Sequence, residues 1–404
     1  MPHDRLADLL SSELNDMARK GRETVFTGVV PPHGDKGLRY LLAGEGKKPF
    51  LRMNANDYLG MARQREVIAA EEHTTHAFGA GPGAVRFISG TWSPHIELED
   101  RLARFHGREA AMIFSSAYAA VMGILPPLIR ETTAVISDEL NHNCIINAVR
   151  LGQPAEKYVY PHLDMTALAE ALSRAATCCN RAIVVTDGIF SMRGDHAPLR
   201  DIMALARQHD AAFAENVVVV VDDSHGIGAF GATGRGTEEY TDAPPADLLV
   251  ATLGKALGVN GGYVTGTATV IDYLRETSPF YIFSNPITPG EAAAAKAAVD
   301  VLDSPAGTDL LNHLRAMTAL FKDGLVRLGF ETIASEHPVV PLMVRDAERT
   351  IRLVAHLRSH GILATGLNHP VVPHGDEEIR FQVSADHTSA DIDEALAALA
   401  AFDG

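Results

Sequence analysis

The sequence predicts an α/β protein with a large domain, a mostly parallel sheet flanked by helices, and a smaller α+β domain at the C-terminus. Two observations lead there. Ala182–Thr186 (AIVVT) and Val217–Val221 (VVVVV) are β-branched runs with almost no polar position, the mark of strands buried on both faces, as in parallel sheets. From about residue 93, such runs alternate with segments of helical spacing, the pattern of a doubly wound layer.

Each element has its own signal. Ser93-Pro94 starts a helix, with Ser as a cap and Pro in the first turn. Leu98, Leu102 and Phe105 share one face of it, and Gly107 stops it. Ala110–Phe114 is the next strand, and the turn at Ser115-Ser116 leads into a helix over Tyr118–Leu128. Pro198–Phe213 is helical by the spacing of Leu199, Ile202, Met203 and Leu205, and Leu248–Ala251 and Tyr263–Thr265 are two more strands. An Ala-rich helix near 289–303 begins a different section. From 306 the order is helix, strand (Val339–Val344), helix (Ala347–His360), strand (Ile379–Val383) and helix (Ser389–Phe402). The expected organisation is an N-terminal segment over 1–55, a large domain over 56–290 and a small C-terminal domain over 291–404.

Composition narrows the function classes. The 404 residues are 46% apolar and 21% charged, with 35 basic against 51 acidic residues and a net charge of −16. That balance argues against a general nucleic-acid binder, which needs Lys and Arg to neutralise phosphates. Cys144, Cys178 and Cys179 make an odd count with two adjacent, so no disulfide framework is implied and a reducing compartment fits. No apolar run reaches the roughly 18–20 residues that span a bilayer. The first 23 residues carry interrupting acids and no apolar signal core. No membrane association and a cytoplasmic location are the expectations.

Ligands of open parallel sheets bind beyond the carboxyl ends of the strands. Three strand ends here carry chemistry: Asp222-Asp223-Ser224-His225 after VVVVV, Thr252-Leu253-Gly254-Lys255 after LLVA, and Asp187-Gly188 followed by Phe190-Ser191-Met192. Alone, an Asp after a strand is often a turn or cap residue, and a Lys between small residues is usually a solvated surface group. Converging, they match what pyridoxal 5′-phosphate (PLP) needs. Its aldehyde needs a desolvated amine. Its ring nitrogen needs a carboxylate to hold a proton. Its phosphate needs backbone N–H groups at a helix N-terminus, and the Ser115-Ser116-Ala117-Tyr118 turn offers them. A ring to cover the cofactor is available in His142, within Asn141-His142-Asn143.

These residues, with others, resemble the α-oxoamine synthases, PLP enzymes of aminotransferase fold type I. The resemblance runs from about residue 50 to 390. It rests on Asn56-Asp57-Tyr58-Leu59-Gly60, FGAGPGAVRFISGT (78–91), His95, Leu98-Glu99, Ser137-Asp138 and Asn141-His142. It continues through DGIFSMRGDHAPL (187–199), VDDSH (221–225), GATGRG (231–236), TLGKALG (252–258), GGY (261–263) and FSN (283–285). By that resemblance Lys255 is the Schiff-base lysine, Asp222 the partner of the pyridine nitrogen, His225 the partner of the ring hydroxyl, and His142 the ring that stacks on the cofactor. Ser116, Ala117, Tyr118 and Thr252 hold the phosphate, with Ser284 reaching in from a second subunit, which implies a homodimer with shared active sites. Ser191 lies near the cofactor and the substrate carboxylate. Asn56 and Arg380 clamp that carboxylate, a task suited to the planar fork of Arg.

The chain departs from the family pattern at three places. Val121 stands where the family usually has Asn, Arg193 where it has Asp, and the segment after KALG is one residue short. Arg193 reads either as a surface ion-pair partner or as an extra anion contact at the mouth of the site. Gly366–Pro373, IRFQVSADHT (379–388), AVRFISGT and SDELNHNCIINAVR resemble the 2-amino-3-ketobutyrate CoA ligase (glycine C-acetyltransferase) branch more than the aminolevulinate or aminooxononanoate synthases. The implied reaction condenses a glycine-like amino acid with an acetyl-CoA-like acyl-CoA. Val85 stands where the aminolevulinate synthases, by resemblance, have a threonine near a carboxylated acyl chain, so a short uncharged acyl group is expected, with Phe87 crowding the pocket. Other readings are an α-oxoamine synthase with different substrates, a PLP aldolase or aminotransferase without CoA, and a silent regulatory subunit. The last is disfavoured by the presence of Lys255, Asp222 and His225. No G-x-G-x-x-G follows the first strand, which removes a dinucleotide-binding dehydrogenase.

Overall fold

The computed structural model describes residues 4–19, 29–30 and 39–403. Its centre is a seven-stranded sheet, numbered here in chain order: β1 Ala110–Phe114, β2 Thr133–Asp138, β3 Glu156–Tyr160, β4 Arg181–Asp187, β5 Val217–Asp222, β6 Leu248–Thr252 and β7 Gly262–Gly266. The spatial order is β1-β7-β6-β5-β4-β2-β3. β7 runs antiparallel to both neighbours, and all other pairs are parallel. The sheet is therefore mostly parallel, as expected.

The all-apolar runs are buried on both faces because helices cover both. Val184, Val219, Val221, Leu249 and Ala251 pack into one apolar layer. Their neighbours Ile183, Val185, Val220, Val250 and Val264 pack into the other, with Val121, Ile124 and Leu125 of the helix Ala117–Leu128. Val121 is therefore a core side chain, where an unpaired polar group would be costly.

Element boundaries follow the sequence reading closely, with local corrections. The helix Ser93–His106 takes Trp92 rather than Ser93 as its cap, and its end is the left-handed Gly107. The helix after β4 stops at His209, and a single 3-10 turn follows over Asp210–Ala212. β2 and β3 were absent from the strands expected from sequence. β3 lies at the sheet edge with an exposed, charged beginning, Glu156-Lys157.

Beyond the large sheet, Val339–Met343 and Glu378–Gln382 pair antiparallel at the centre of a four-stranded sheet with Glu331–Thr332 and Thr365–Leu367. Arg39–Leu42 and Pro49–Arg52 form another small sheet, which Ile362–Leu363 joins in parallel. The N-terminal segment is thus tied by backbone bonds to the C-terminal section. The Ala-rich helix Pro289–Leu302 packs against the helices Arg65–Phe78 and Ser93–His106 of the large layer. Among the described residues, no helix is long and apolar enough to cross a membrane. Residues 1–3 and 20–23 of the stretch read for a signal segment lie outside the described residues.

Candidate active site

Parallel register brings the reactive strand ends to one edge. Asp187 of β4 sits opposite Asp222 of β5, and Asp222 opposite Val250 of β6, which ends at Thr252 just before Lys255. At this edge a cavity of about 200 Å³ opens. Of the residues expected at a PLP site, Ser116, Ala117, Tyr118, His142, Ser191, Asp222, His225, Thr252 and Lys255 all line it. Cys144, Asp187, Ile189 and Ser224 complete the wall.

Asp222 and Asp223 diverge because successive strand residues face opposite ways. Asp222 faces the cavity, where its Oδ1 accepts from the Ser224 N–H at 3.1 Å and its Oδ2 from the Cys144 thiol at 3.7 Å. Asp223 is spent on structure, accepting from the Thr237 N–H at 2.6 Å and hydroxyl at 2.7 Å. Burial pushes the Asp223 carboxyl up to about 7.

His142 caps the helix Asn143–Gly152. Its Nδ1 accepts from the Cys144 N–H at 3.3 Å and lies 2.9 Å from the Cys144 sulfur. Its own N–H donates to Asp187 Oδ2 at 3.0 Å. Asn141 locks this turn to the sheet by donating to Val185 O at 2.8 Å and accepting from the Asp187 N–H at 2.8 Å. Burial lowers the basicity of His142, and Asp222 works against that. Burial likewise holds Asp187 well above the usual carboxylate range, with Asp222 adding to the effect.

Lys255 is pushed down to about 8 by burial, against the pull of Asp222 and Asp187. A recessed amine that sheds its proton this readily is a nucleophile near neutral pH. His225 is held neutral, its basicity lowered by burial first and by Lys255 second. Its Nδ1 lies 2.7 Å from the Tyr58 hydroxyl. His337, fully buried, accepts at Nδ1 from the Val339 N–H, so its Nε2–H donates to His225 O at 2.8 Å.

The turn expected to hold the phosphate is built by backbone. Ser116 caps the twelve-residue helix Ala117–Leu128, accepting from the Ala119 N–H at 3.0 Å. β7 crosses beneath, so close that a Cβ on Gly262 would sit 2.2 Å from the Ala117 nitrogen. Thr252 accepts from the Gly254 N–H at 3.0 Å and donates to Gly261 O at 3.2 Å.

The expected carboxylate clamp sits just outside the cavity wall. Arg380 Nε donates to Ser191 O at 2.6 Å, and its Nη2 reaches Asn56 Oδ1 at 3.5 Å. Tyr58 joins the group at 3.3 Å from Asn56 Oδ1. Ser284, expected to reach in from a second subunit, is half-buried and does not line its own chain's cavity. Two other expectations differ from the geometry. Val85 is a half-buried residue preceding the short helix Arg86–Ser89, outside the cavity. Phe87 does not crowd the site: that helix turns Arg86 inward onto Glu99 at 3.1 Å and leaves Phe87 64% exposed. Arg193 pairs with Asp195 at 2.8 Å, the ion-pair reading, while also lining a neighbouring cavity.

Tyr58, Cys144, Asp187 and Ser224 are the residues whose place at the site the sequence did not give a role. All four stand in or beside blocks already singled out, and only the fold shows which way they face.

The cavity fits PLP on its own chemistry. It offers an amine, a carboxylate, two imidazoles and a capped helix N-terminus. One buried hydroxyl in its wall, Ser224 Oγ, has no hydrogen-bond partner among the described residues.

Comparison with known proteins agrees. Residues 48–399 match the aminotransferase class I and II family. The chain is 41% identical over 370 residues to an 8-amino-7-oxononanoate synthase of Geobacter metallireducens, covering 91% of this chain and 92% of that one. It is 42% identical over 399 residues to the mitochondrial 2-amino-3-ketobutyrate coenzyme A ligase of Bos taurus, covering 98% and 91%. Among solved structures, SPT with a PLP internal aldimine superposes with a TM-score of 0.88 at 27% identity, covering 98% of this chain and 96% of that one. A serine palmitoyltransferase from S. paucimobilis with a bound PLP–myriocin aldimine gives 0.87, also at 27% identity, with the same coverage.

Proposed function

This chain belongs to the PLP-dependent α-oxoamine synthases, within aminotransferase class I and II, and from that premise we propose that it joins a small, glycine-like amino acid to the acyl group of an acyl-CoA. The observation that carries this reading is the convergence of Lys255, Asp222, His142 and His225 on one cavity.

PLP bound there supplies an electron sink for the pair left on the amino acid's Cα when its proton departs. Lys255 would hold the cofactor and, once freed from it, with its basicity lowered by burial to about 8, would be the base that takes that proton. Asp222 would keep the ring nitrogen protonated. His225, held by Tyr58, would meet the ring hydroxyl, and His142 would cover the ring. Ser116, Ala117, Tyr118 and Thr252 would hold the phosphate. Asn56, Ser191 and Arg380 take the amino acid's carboxylate, exchanging their mutual bonds for the bidentate pairing that Arg favours. Protonated Lys255, with His142, then faces the thioester oxygen where negative charge develops.

We assign Ser284 to the partner's site in a homodimer. Its neighbour Phe283 is 73% exposed and meets Phe87 edge-on, ring centres 6.1 Å apart. This apolar surface is suited to a second copy. The free thiols of Cys144, Cys178 and Cys179 support a cytoplasmic, reducing location.

The acyl donor is less constrained. Relatives with two different products are similarly identical to this chain. Val85 and Phe87 do not line the cavity of their own chain, so the support for an acetyl-CoA-like donor is the resemblance of Gly366–Pro373 and IRFQVSADHT (379–388) to the glycine C-acetyltransferase branch.

Borohydride reduction of the holoenzyme followed by peptide mapping tests the cofactor assignment. The pyridoxyl group is expected on Lys255. A label on another lysine overturns the assignment of every residue around it.

A further inference from the structure

Two thiols that the proposed reaction leaves unused sit at the far end of β4 from the cavity. Cys178 and Cys179 lie on the turn that joins the helix Met165–Ala175 to that strand. At strand rise, the stretch from Cys179 to Asp187 spans roughly 25 Å. The turn is pinned on both sides. The N–H groups of Cys178 and Cys179 both donate to Ala175 O, at 3.1 and 2.9 Å, and the N–H of Asn180 donates to Thr132 O at 2.9 Å. This backbone sets the two sulfurs 3.8 Å apart. Cys178 is exposed, and its thiol faces the carbonyls of Ala175 and Arg174 at 3.7 and 3.9 Å. Cys179 is 6% exposed, with its thiol turned to the Cys178 sulfur. Burial first, and Cys178 next, push the Cys179 thiol up to about 11, so near neutral pH the pair does not carry two repelling charges.

The spacing disfavours closing the pair on itself. Cα atoms across a trans peptide are about 3.8 Å apart, short of the roughly 4.4–6.8 Å that a relaxed disulfide spans. A third atom placed between the sulfurs relieves that constraint. The choice of that atom is narrow. Zinc is held by four ligands, and among the described residues no group of three or more His, Cys, Asp or Glu could hold a metal ion. A trivalent arsenic that carries one organic substituent asks for two sulfurs and nothing more.

We propose that Cys178 and Cys179 form a two-thiol binding site for trivalent organoarsenicals, R–As=O. On binding, two As–S bonds replace the As=O bond, and the oxygen leaves as water with the two thiol protons. Arsenic stays trivalent, so no oxidant or reductant takes part. Once the exposed Cys178 has reacted, the second bond is intramolecular, which raises affinity over a lone thiol by about a hundredfold to ten-thousandfold. The pinned turn keeps the ordering cost low.

The test titrates the reduced holoenzyme, freed of small thiols, with phenylarsine oxide, and counts bound arsenic and remaining thiols. The expected result is one equivalent per chain with the loss of two thiols, reversed by the dithiol dimercaprol and not by the monothiol mercaptoethanol at the same concentration. Cys178→Ser, at an exposed position, should weaken uptake about a hundredfold or more with Tm kept. Cys179→Ser should do the same, with Tm reporting its effect on the core. The absorbance of bound PLP should not change on loading. No stoichiometric uptake, uptake kept in Cys178→Ser, or uptake that mercaptoethanol reverses overturns the proposal. A bleached cofactor band together with uptake that survives Cys178→Ser places the arsenic at Cys144 and overturns it too. None of these outcomes bears on the acyltransferase reading, which the site does not need.

Discussion

Lys255, Tyr58 and Cys144 show how single side chains set the chemistry of this edge. Burial leaves Lys255 half neutral near pH 8 rather than near 10.5. The neutral amine is the form that captures an aldehyde, so the rate at which apoprotein takes up PLP should rise with pH and level off above about 8. A rate still climbing toward 10.5 would show that the amine is solvated. Tyr58 bonds His225 and Asn56 at once. Tyr58→Phe removes one hydroxyl and leaves a buried imidazole nitrogen unpaired, which costs about 1–3 kcal/mol. Weaker PLP binding and a lower Tm are the expected outcomes, and an unchanged PLP dissociation constant would contradict the arrangement. Asp222 was legible in sequence as a strand-end acid, and so was Asp223. Family resemblance singled out Asp222, and the strand's alternation, with Asp223 held by Thr237, is the physical reason that Asp222 is the one facing the cavity. Cys144 and Ser224 were not legible, because each looks like an ordinary helix or turn residue until the fold turns it toward Asp222.

At the scale of elements, the site is a junction between β7 and the helix Ala117–Leu128. Gly262 permits the contact, since a methyl there would meet the Ala117 nitrogen and Cα at 2.2 and 2.4 Å. Backbone cannot yield as a side chain can, so Gly262→Ala should cost about 1–3 kcal/mol and displace the turn at Ser116–Ala117, proposed to hold the phosphate. Thermal unfolding and PLP titration read the two effects, and a variant normal in both would refute the close approach. Ser116→Ala loses the helix cap, worth about 1 kcal/mol. The strands β4, β5 and β6 were plain in the sequence because burial on both faces makes them apolar throughout. β3 was hidden because an edge strand keeps charge, and Glu156-Lys157 reads as loop. β2, TAVISD, is fully buried, but its polar ends weakened the same signal.

Across the whole molecule, the proposed carboxylate clamp is assembled from distant parts of the chain. Asn56 follows the N-terminal strand Pro49–Arg52, Ser191 follows β4, and Arg380 lies on a strand of the C-terminal sheet. Such contacts could be named from sequence only through family resemblance, since spacing says nothing about residues 189 and 324 apart. The homodimer proposal extends the same logic to a second chain. A Lys255→Ala subunit paired with a Ser284→Asp subunit places both defects in one site and leaves the other intact. A randomly mixed population should therefore recover about a quarter of wild-type activity. No recovery would mean that each chain uses its own Ser284, and a Ser284→Asp protein active by itself would mean that neither site needs it.

We propose that Lys255 drives the joining of an amino acid to a thioester. Its most direct measurement is thiol release from acyl-CoA donors, assayed with and without a panel of small amino acids that includes glycine. The account predicts CoA release that requires both substrates and falls by orders of magnitude in Lys255→Ala. Release independent of the amino acid, or equal in the Lys255→Ala protein, would contradict it.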